Sequence, residues 1–184
     1  KEIRAHGASV VEVKRKSGSN EMAMVRGSKY NRRITSATPM DFGGPAAGNA
    51  KLFNKLSPDG KQAFGMNNNC ANGYTPWGTY LTCEENFANY FEGPANPAAH
   101  QKRWGIKKGG AAAYRWNEFE ERFDANKHPN EANRFGWVVE IDPMDPTSTP
   151  IKRTALGRAA HEGAATAVTD AGRAVVYMGE DSRF

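Results

Sequence analysis

Hydrophobic and polar residues alternate over many short segments of this chain, a pattern typical of strands. It predicts strands at residues 10–13, 22–26, 63–67, 77–83, 137–142, 164–168 and 174–178. Polar turns at 17–20 and 169–173 predict two hairpins. Helical periodicity is scarce, with the best candidates at 111–122 and 97–102. The pattern therefore predicts an all-β fold, a sandwich or a propeller, with short helical insertions.

Both ends of the chain resemble cuts within a larger domain. A strand-like segment opens the chain without a cap or start signal, and residues 181–184 directly follow the apolar strand 174–178. Because a domain rarely ends straight after a buried strand, we expect a piece of a longer protein.

Composition and charge exclude some classes of function. The 184 residues include 25 basic and 20 acidic side chains. Nine of the basic but only three of the acidic ones fall in residues 1–40, so the rest of the chain is nearly neutral. A uniformly basic coat for nucleic acid is therefore not expected. No apolar run approaches the roughly 18 residues of a membrane helix, and no signal-peptide pattern opens the chain.

Carboxylates follow one strand together with a cysteine, in the sequence Cys83-Glu84-Glu85. Alternation along a strand places Cys83 and Glu85 on one face and Glu84 on the other. Neighbouring carboxylates repel unless a cation or a basic group compensates. Carboxylates suit calcium, magnesium or iron, and a thiolate adds a preference for a transition metal. The residues alone leave open a solvated strand end with a structural cysteine.

Two further strands are flanked by acidic residues, at Glu162 and at Glu180 with Asp181. Converging strands would bring these carboxylates to one central cation site, whereas singly each is compatible with an ordinary surface acid. The chain has no CxxC or HExxH spacing, which excludes a zinc finger or a zincin at the motif level. The glycine-rich segment 43–48 lacks the GK[ST] ending of a nucleotide P-loop.

A long specific segment, CANGYTPWGTYLTCEEN at 70–86, closely resembles the signature of the PhoX family of bacterial alkaline phosphatases. Flanking segments agree in order with the same family: YNRRIT at 30–35, GGPAAG at 43–48, FGWVVEIDP at 135–143, KRTALGRAAHEGA at 152–164 and VVYMGEDSRF at 175–184. The resemblance covers nearly the whole chain.

The resemblance implies a phosphatase that depends on calcium and iron and is built on a six-bladed β-propeller. Such enzymes hydrolyse phosphomonoesters at alkaline pH, with a metal-bound oxygen as the nucleophile. They are exported folded by the twin-arginine (Tat) route, so the expected location is periplasmic or extracellular. Residues 1–184 are then expected to form part of one propeller domain, truncated at both ends. This part supplies about two to three blades, and its partners are the remaining blades of the parent chain.

Carried onto this sequence, the resemblance implies a set of metal ligands and two candidate substrate-binding residues. The metal ligands are Cys83, Glu84, Glu85, Glu162, Glu180 and Asp181. Cys83 is favoured as the sulfur ligand because it shares a strand face with Glu85, but Cys70 as the ligand, or a disulfide between the two cysteines, stays open. Arg32 and Arg33 are the catalytic candidates, since guanidinium groups bind phosphate in pairs of hydrogen bonds. A solvated basic turn is the alternative.

Two other classes remain as rivals. One is a non-catalytic propeller module that binds calcium through the same carboxylates. The other is a different propeller hydrolase, such as a lactonase, which would leave the cysteine of Cys83-Glu84-Glu85 unexplained.

Overall fold

Short strands dominate the computed structural model, which describes residues 1–181. The strands are β1 (Gly7–Val10), β2 (Val13–Arg15), β3 (Met22–Met24), β4 (Arg32–Thr35), β5 (Pro39–Gly43), β6 (Gln62–Phe64), β7 (Asn69–Tyr74), β8 (Tyr80–Glu84), β9 (Val138–Ile141), β10 (Ile151–Arg153), β11 (His161–Val168) and β12 (Ala174–Glu180). The α-helices are α1 (Glu2–Ala5) and α2 (Ala99–Arg103). Short 3-10 helices span Ala50–Leu52, Phe87–Tyr90, Trp116–Glu118, Glu121–Phe123, Glu131–Arg134 and Thr154–Leu156. The prediction of a mostly-strand chain with short helical insertions is confirmed.

Six strands form the central sheet, in the order β6-β5-β10-β9-β8-β7. The β5–β10 pair is parallel and the other pairs are antiparallel. All four residues of β9 are buried, because β9 lies in the middle of the sheet and both of its faces are covered. One apolar core lies against this sheet; it includes Ile34, Met40, Phe42, Met66, Val139 and Ile141.

The hairpin β11–β12 packs across β7 and β8. Its turn closes with the N–H of Thr169 donating to the carbonyl of Arg173 over 2.9 Å, as the polar turn predicted. The hydroxyl of Thr166 donates to the carbonyl of Tyr74 over 2.7 Å, which ties the hairpin to β7. The other predicted hairpin is also present as β2–β3, although its first strand begins at Val13 rather than at residue 10.

An aromatic core fills the segment between β8 and β9. Its buried members include Phe87, Tyr90, Phe91, Trp116, Phe123 and Phe135. The predicted helix at 111–122 is wrong, because the chain there forms turns and two 3-10 helices. Arg115 adopts a left-handed φ of 57°, which interrupts any helix, and the turns let Trp116 and Phe123 both point into the core. The predicted helix at 97–102 is confirmed as α2.

Within residues 1–181, none of the helices has both the length and the apolar character that a membrane crossing requires. The last three residues of the signature-like segment 175–184 lie outside the described part of the chain.

Candidate metal centre

Three potential metal ligands from distant parts of the chain converge on one point. The thiol of Cys70 and one carboxylate oxygen each of Glu85 and Glu162 all lie within 4.8 Å of one another. Cys70 comes from β7, Glu85 directly follows β8, and Glu162 comes from β11. Cys70 and Glu162 are exposed and Glu85 is half-buried, so the cluster opens to solvent in this structure.

Two of these residues lie where the strand register breaks. On β7, Asn69 pairs with Glu84 and Asn72 with Thr82, which leaves one extra residue on the β7 side, around Cys70. On β11, His161 pairs with Glu180 and Gly163 with Gly179, so Glu162 is itself the extra residue. An extra residue of this kind bends a strand and turns a side chain out of simple alternation. The two irregularities therefore direct Cys70 and Glu162 to the same place as Glu85.

The cluster concentrates groups that become negative on ionisation. Desolvation of the Cys70 thiol, followed by the negative charge of Glu85 and then of Glu162, raises the pKa of Cys70. Burial raises the pKa of Glu85, a hydrogen bond with the Cys70 thiol opposes the shift, and the neighbouring Asp181 and Glu162 raise the pKa further. A cation would relieve this mutual repulsion and favour the ionised forms of all these groups.

Glu84 has a different environment from Glu85. It is fully buried, and its two carboxylate oxygens lie 2.9 and 3.0 Å from the Nζ of Lys152. The same carboxylate accepts backbone N–H groups from Asn67, Gly136 and Trp137. Burial raises the pKa of Glu84, and the attraction of Lys152 opposes that shift. The structure thus places Glu84 in an internal hydrogen-bond network, apart from the three-residue cluster.

Cys83 points into the apolar core rather than into the cluster. It is fully buried beside Leu81, Val138 and Ala164. Burial, followed by the nearby Cys70 and Glu84, raises the pKa of Cys83 to about 12. Both cysteines are free, so the structure does not contain the disulfide that the sequence left open. The geometry favours Cys70 as the sulfur ligand, and which thiol binds metal stays a prediction.

The last residue of β12, Glu180, and the residue after it, Asp181, also differ in their relation to the cluster. Asp181 lies close enough to Glu85 to raise its pKa, and its N–H donates to the carbonyl of Ala160 over 3.2 Å. Glu180 is exposed and pairs in register with His161. Asp181 therefore borders the cluster, whereas Glu180 is not one of its three members.

Comparison with known proteins identifies the family to which this chain belongs. The sequence model of the family described as alkaline phosphatase PhoX matches residues 1–184. This chain belongs to the PhoX family. No curated protein matches it.

A solved PhoX structure is similar to this chain over most of its length. It is described as Pseudomonas fluorescens PhoX in complex with vanadate, a transition state analogue. The sequences are 54% identical and the TM-score is 0.90 over 96% of this chain. The match covers 30% of the Pseudomonas fluorescens chain, so the present chain corresponds to less than a third of that PhoX.

The two arginines predicted from the PhoX signature make contacts with the backbone. The guanidinium of Arg32 donates to the carbonyls of Asp142 at 2.7 Å and Ser148 at 2.8 Å, which holds the loop between β9 and β10. The guanidinium of Arg33 donates to the carbonyl of Ala5 and lies 3.4 Å from the hydroxyl of Ser9. A role of either arginine in binding substrate stays a prediction.

Two cavities open beside the cluster of this PhoX chain. One, of about 590 Å³, reaches Cys70 and is otherwise lined mainly by β1, Tyr80, Ile141 and Pro143. The other, of about 350 Å³, reaches Glu85 and is lined by polar and apolar residues that include Arg103, Trp104 and Lys107. Cys70 and Glu85 therefore each line a cavity.

Sequence reasoning missed the residues that support the cluster. Lys152 opens the family-like segment 152–164, but nothing in that segment indicates its role, which only its burial beside Glu84 shows. The run Asn67-Asn68-Asn69 offers a better signal, because it directly precedes Cys70 and asparagine is the residue that most often adopts left-handed backbone without being glycine. Asn68 has such a conformation, with a φ of 45°.

Proposed function

We propose that this chain supplies part of the metal centre of an alkaline phosphatase that hydrolyses phosphomonoesters. The observation that carries the proposal is the convergence of Cys70, Glu85 and Glu162 within 4.8 Å in a chain of the PhoX family. The vanadate bound to the similar Pseudomonas fluorescens PhoX, described there as a transition state analogue, supports phosphoryl transfer as the reaction class.

The donor set fits the metals that the resemblance implies. One thiolate beside two carboxylates suits a transition metal such as iron, and the adjoining carboxylate of Asp181 adds a hard oxygen ligand of the kind calcium prefers. When bound, such cations polarise the phosphoryl oxygens and neutralise the charge that develops during transfer. Glu84 lies apart from these donors, as the buried partner of Lys152.

On this proposal, the three cluster residues, the irregular strands β7 and β11 and the two arginines each have a separate task. Cys70, Glu85 and Glu162 give up their protons and hold cations in the cluster. The breaks in register at β7 and β11 keep the donor atoms convergent. The exposed side of the cluster admits the phosphate group, and Arg32 and Arg33 are proposed to contact it.

The proposal extends to the parent protein. The strands described above would form part of a six-bladed propeller, which the remaining blades of a longer chain would complete. Calcium and iron would be the cofactors, and the location would be periplasmic or extracellular after Tat export. The family assignment favours this phosphatase over the lactonase alternative.

Metal analysis combined with turnover tests the proposal. The full chain and the variants Glu85→Gln and Glu162→Gln are analysed for iron and calcium and assayed with p-nitrophenyl phosphate at alkaline pH. Glu118→Gln, at an exposed residue paired with Arg115, is the matched control. We expect the two cluster variants to lose bound iron and the control to keep it, with chelator abolishing any turnover.

Two results would argue otherwise. Iron retained by both cluster variants would show that the centre lies elsewhere. Calcium binding without iron, and without turnover in a chain completed by its other blades, would support the non-catalytic calcium module instead.

A further inference from the structure

Asn68 holds the segment that carries Glu85 through two hydrogen bonds. The N–H of Glu85 donates to the backbone carbonyl of Asn68 over 3.0 Å. The N–H of Asn86 donates to the Oδ1 of Asn68 over 2.9 Å. Both donors belong to the first two residues after β8, where the chain leaves the sheet. The direction in which Glu85 leaves the strand therefore depends on Asn68.

The side chain of Asn68 is itself held in place by Tyr90. Its Nδ2 donates to the hydroxyl of Tyr90 over 2.9 Å, and the Nε2 of His6 lies 3.1 Å from the same hydroxyl. Tyr90 is only 1% exposed, and its ring centroid lies 4.3 Å from those of Tyr114 and Trp116. A ring packed this tightly has one position, so its hydroxyl is a fixed point for the Asn68 amide.

The backbone of Asn68 is also specialised. Its φ of 45° lies in the left-handed region, which most residues other than glycine rarely adopt but asparagine tolerates. Arg115 is the other such residue in the described part of the chain. Asn68 stands directly before β7 and two residues before Cys70, so its backbone conformation also constrains the strand that carries the thiol.

We propose that Asn68 is a positioning residue of the candidate metal centre, which holds Glu85 against Cys70 through its hydrogen bonds and is itself held by Tyr90. This inference rests on the proposed function, because it assumes that Cys70 and Glu85 bind a cation together. Asn68 acts through these two ligands and needs no contact with the metal.

Cobalt(II) titration of the full chain tests the proposal, because a thiolate bound to cobalt gives a charge-transfer absorption band whose intensity and position report the ligand geometry. Asn68→Gly removes the side chain and tolerates the left-handed backbone. We expect cobalt to bind this variant about 10–100-fold more weakly, as is usual when support behind a metal ligand is lost. The band should shift while the melting temperature stays close to that of the parent. Tyr90→Phe removes only the hydroxyl and should weaken binding in the same direction, by a smaller factor.

Arg115→Gly is the matched control, since it places glycine at the other left-handed residue, whose side chain pairs with Glu118. It should leave the cobalt affinity and the band unchanged. An Asn68→Gly chain with the affinity and band of the parent would overturn the positioning role while leaving the metal centre intact. A parent chain without any thiolate band would overturn the proposed centre, and the positioning role with it. If Asn68→Gly does not fold, Tyr90→Phe decides, and unchanged affinity and band in that variant would overturn the proposal.

Discussion

Two adjacent glutamates show how much the environment of a single residue decides in this molecule. Glu84 is fully buried and bound to Lys152, whereas Glu85 stands one position later among groups that repel its negative charge. Their chemistry is the same, and the difference comes from their positions: Glu84 ends β8 inside the sheet, whereas Glu85 follows it where the chain leaves the sheet. A carboxylate inside a compensating network stabilises the fold, and one among other acids is suited to bind a cation.

Substitution of each cysteine separates the two candidate sulfur ligands. Cys70→Ser replaces the thiol nearest Glu85 and Glu162, so we expect loss of bound iron with little change in stability. Cys83→Ser buries a hydroxyl in an apolar core and should lower the free energy of unfolding by about 1–3 kcal/mol while iron remains. Elemental analysis of both variants measures the bound iron, and urea unfolding measures the free energy of unfolding. The reverse pattern, with iron lost only from Cys83→Ser, would make Cys83 the ligand.

His161 makes the stability depend on pH. Its Nε2 lies 3.1 Å from the carbonyl of Gly157, and its buried Nδ1 has no partner among the described residues. Burial lowers the pKa of His161 below its usual 6.5, although the Gly157 carbonyl and Glu180 oppose the shift. The unfolded chain therefore binds this proton more readily than the folded chain does. Stability should be fully present above pH 6.5 and decrease as the pH falls below it.

Urea unfolding at pH 8 and pH 5.5 checks that expectation. His161→Asn should show a smaller loss of stability on acidification than the parent chain. His128→Asn, at a more exposed histidine beside Glu121, is the control and should keep the parent's loss. An equal loss in the His161→Asn chain would assign the acid sensitivity to other groups.

The site could be predicted from the sequence only in part. The acidic residues at strand ends pointed to the segments that converge in the structure, because strand ends and acidic residues can both be recognised from the sequence. The rule of alternation then favoured Cys83 as the partner of Glu85, because that rule assumes an unbroken strand. The extra residue around Cys70 is a property of the pairing with β8 and leaves no mark in the sequence of β7 alone.

At the scale of elements, local signals were sufficient for the hairpins and insufficient elsewhere. The hairpin β11–β12 follows from alternation and a polar turn, which need no information from the rest of the chain. The segment 111–122 has helix-forming composition, yet packing of Trp116 and Phe123 into the aromatic core decided its conformation. The parallel contact between β5 and β10 joins segments too far apart for any local pattern to pair.

Contact between β7 and β11 depends on Gly73. A Cβ at this position would lie 1.8 Å from the carbonyl oxygen of Ala164, so Gly73→Ala must push the two strands apart. We expect a loss of about 3 kcal/mol in the free energy of unfolding and weaker metal binding, because Glu162 moves away from Cys70. Gly179→Ala is the control for stability, since its Cβ would meet nothing closer than the Cβ of Glu162 at 3.9 Å. Urea unfolding of both variants, and cobalt titration of Gly73→Ala against the parent chain, measure the two effects, and a Gly73→Ala chain as stable as the control would contradict the close contact.

On the scale of the whole molecule, Lys152 joins regions that are distant in sequence. From β10 its Nζ reaches Glu84 at the end of β8, and it donates to the carbonyl of Arg134 over 2.7 Å. Burial lowers the pKa of Lys152 to about 8, while the attraction of Glu84 opposes the shift. The central sheet and the segment before β9 are thus held at one buried ammonium group.

Removal of this group should be strongly destabilising. Lys152→Met leaves the Glu84 carboxylate buried without its partner, and we expect a loss of about 3–5 kcal/mol in the free energy of unfolding. The double variant Lys152→Met with Glu84→Gln should lose less than the sum of the two single variants, because neither charge then remains alone. Denaturant unfolding of the four chains gives the coupling. Strict additivity would show that the two groups do not act as a pair.

The bond between Thr166 and Tyr74 joins residues 92 positions apart, which has a consequence for the order of folding. The β7–β8 and β11–β12 hairpins can each form from neighbouring residues, whereas their docking must first close a long loop. We therefore expect docking to follow hairpin formation, so that Glu162 meets Cys70 and Glu85 only in a late step. During synthesis, Cys70 and Glu85 leave the ribosome well before Glu162, and the three-residue cluster is completed only when β11 has been made.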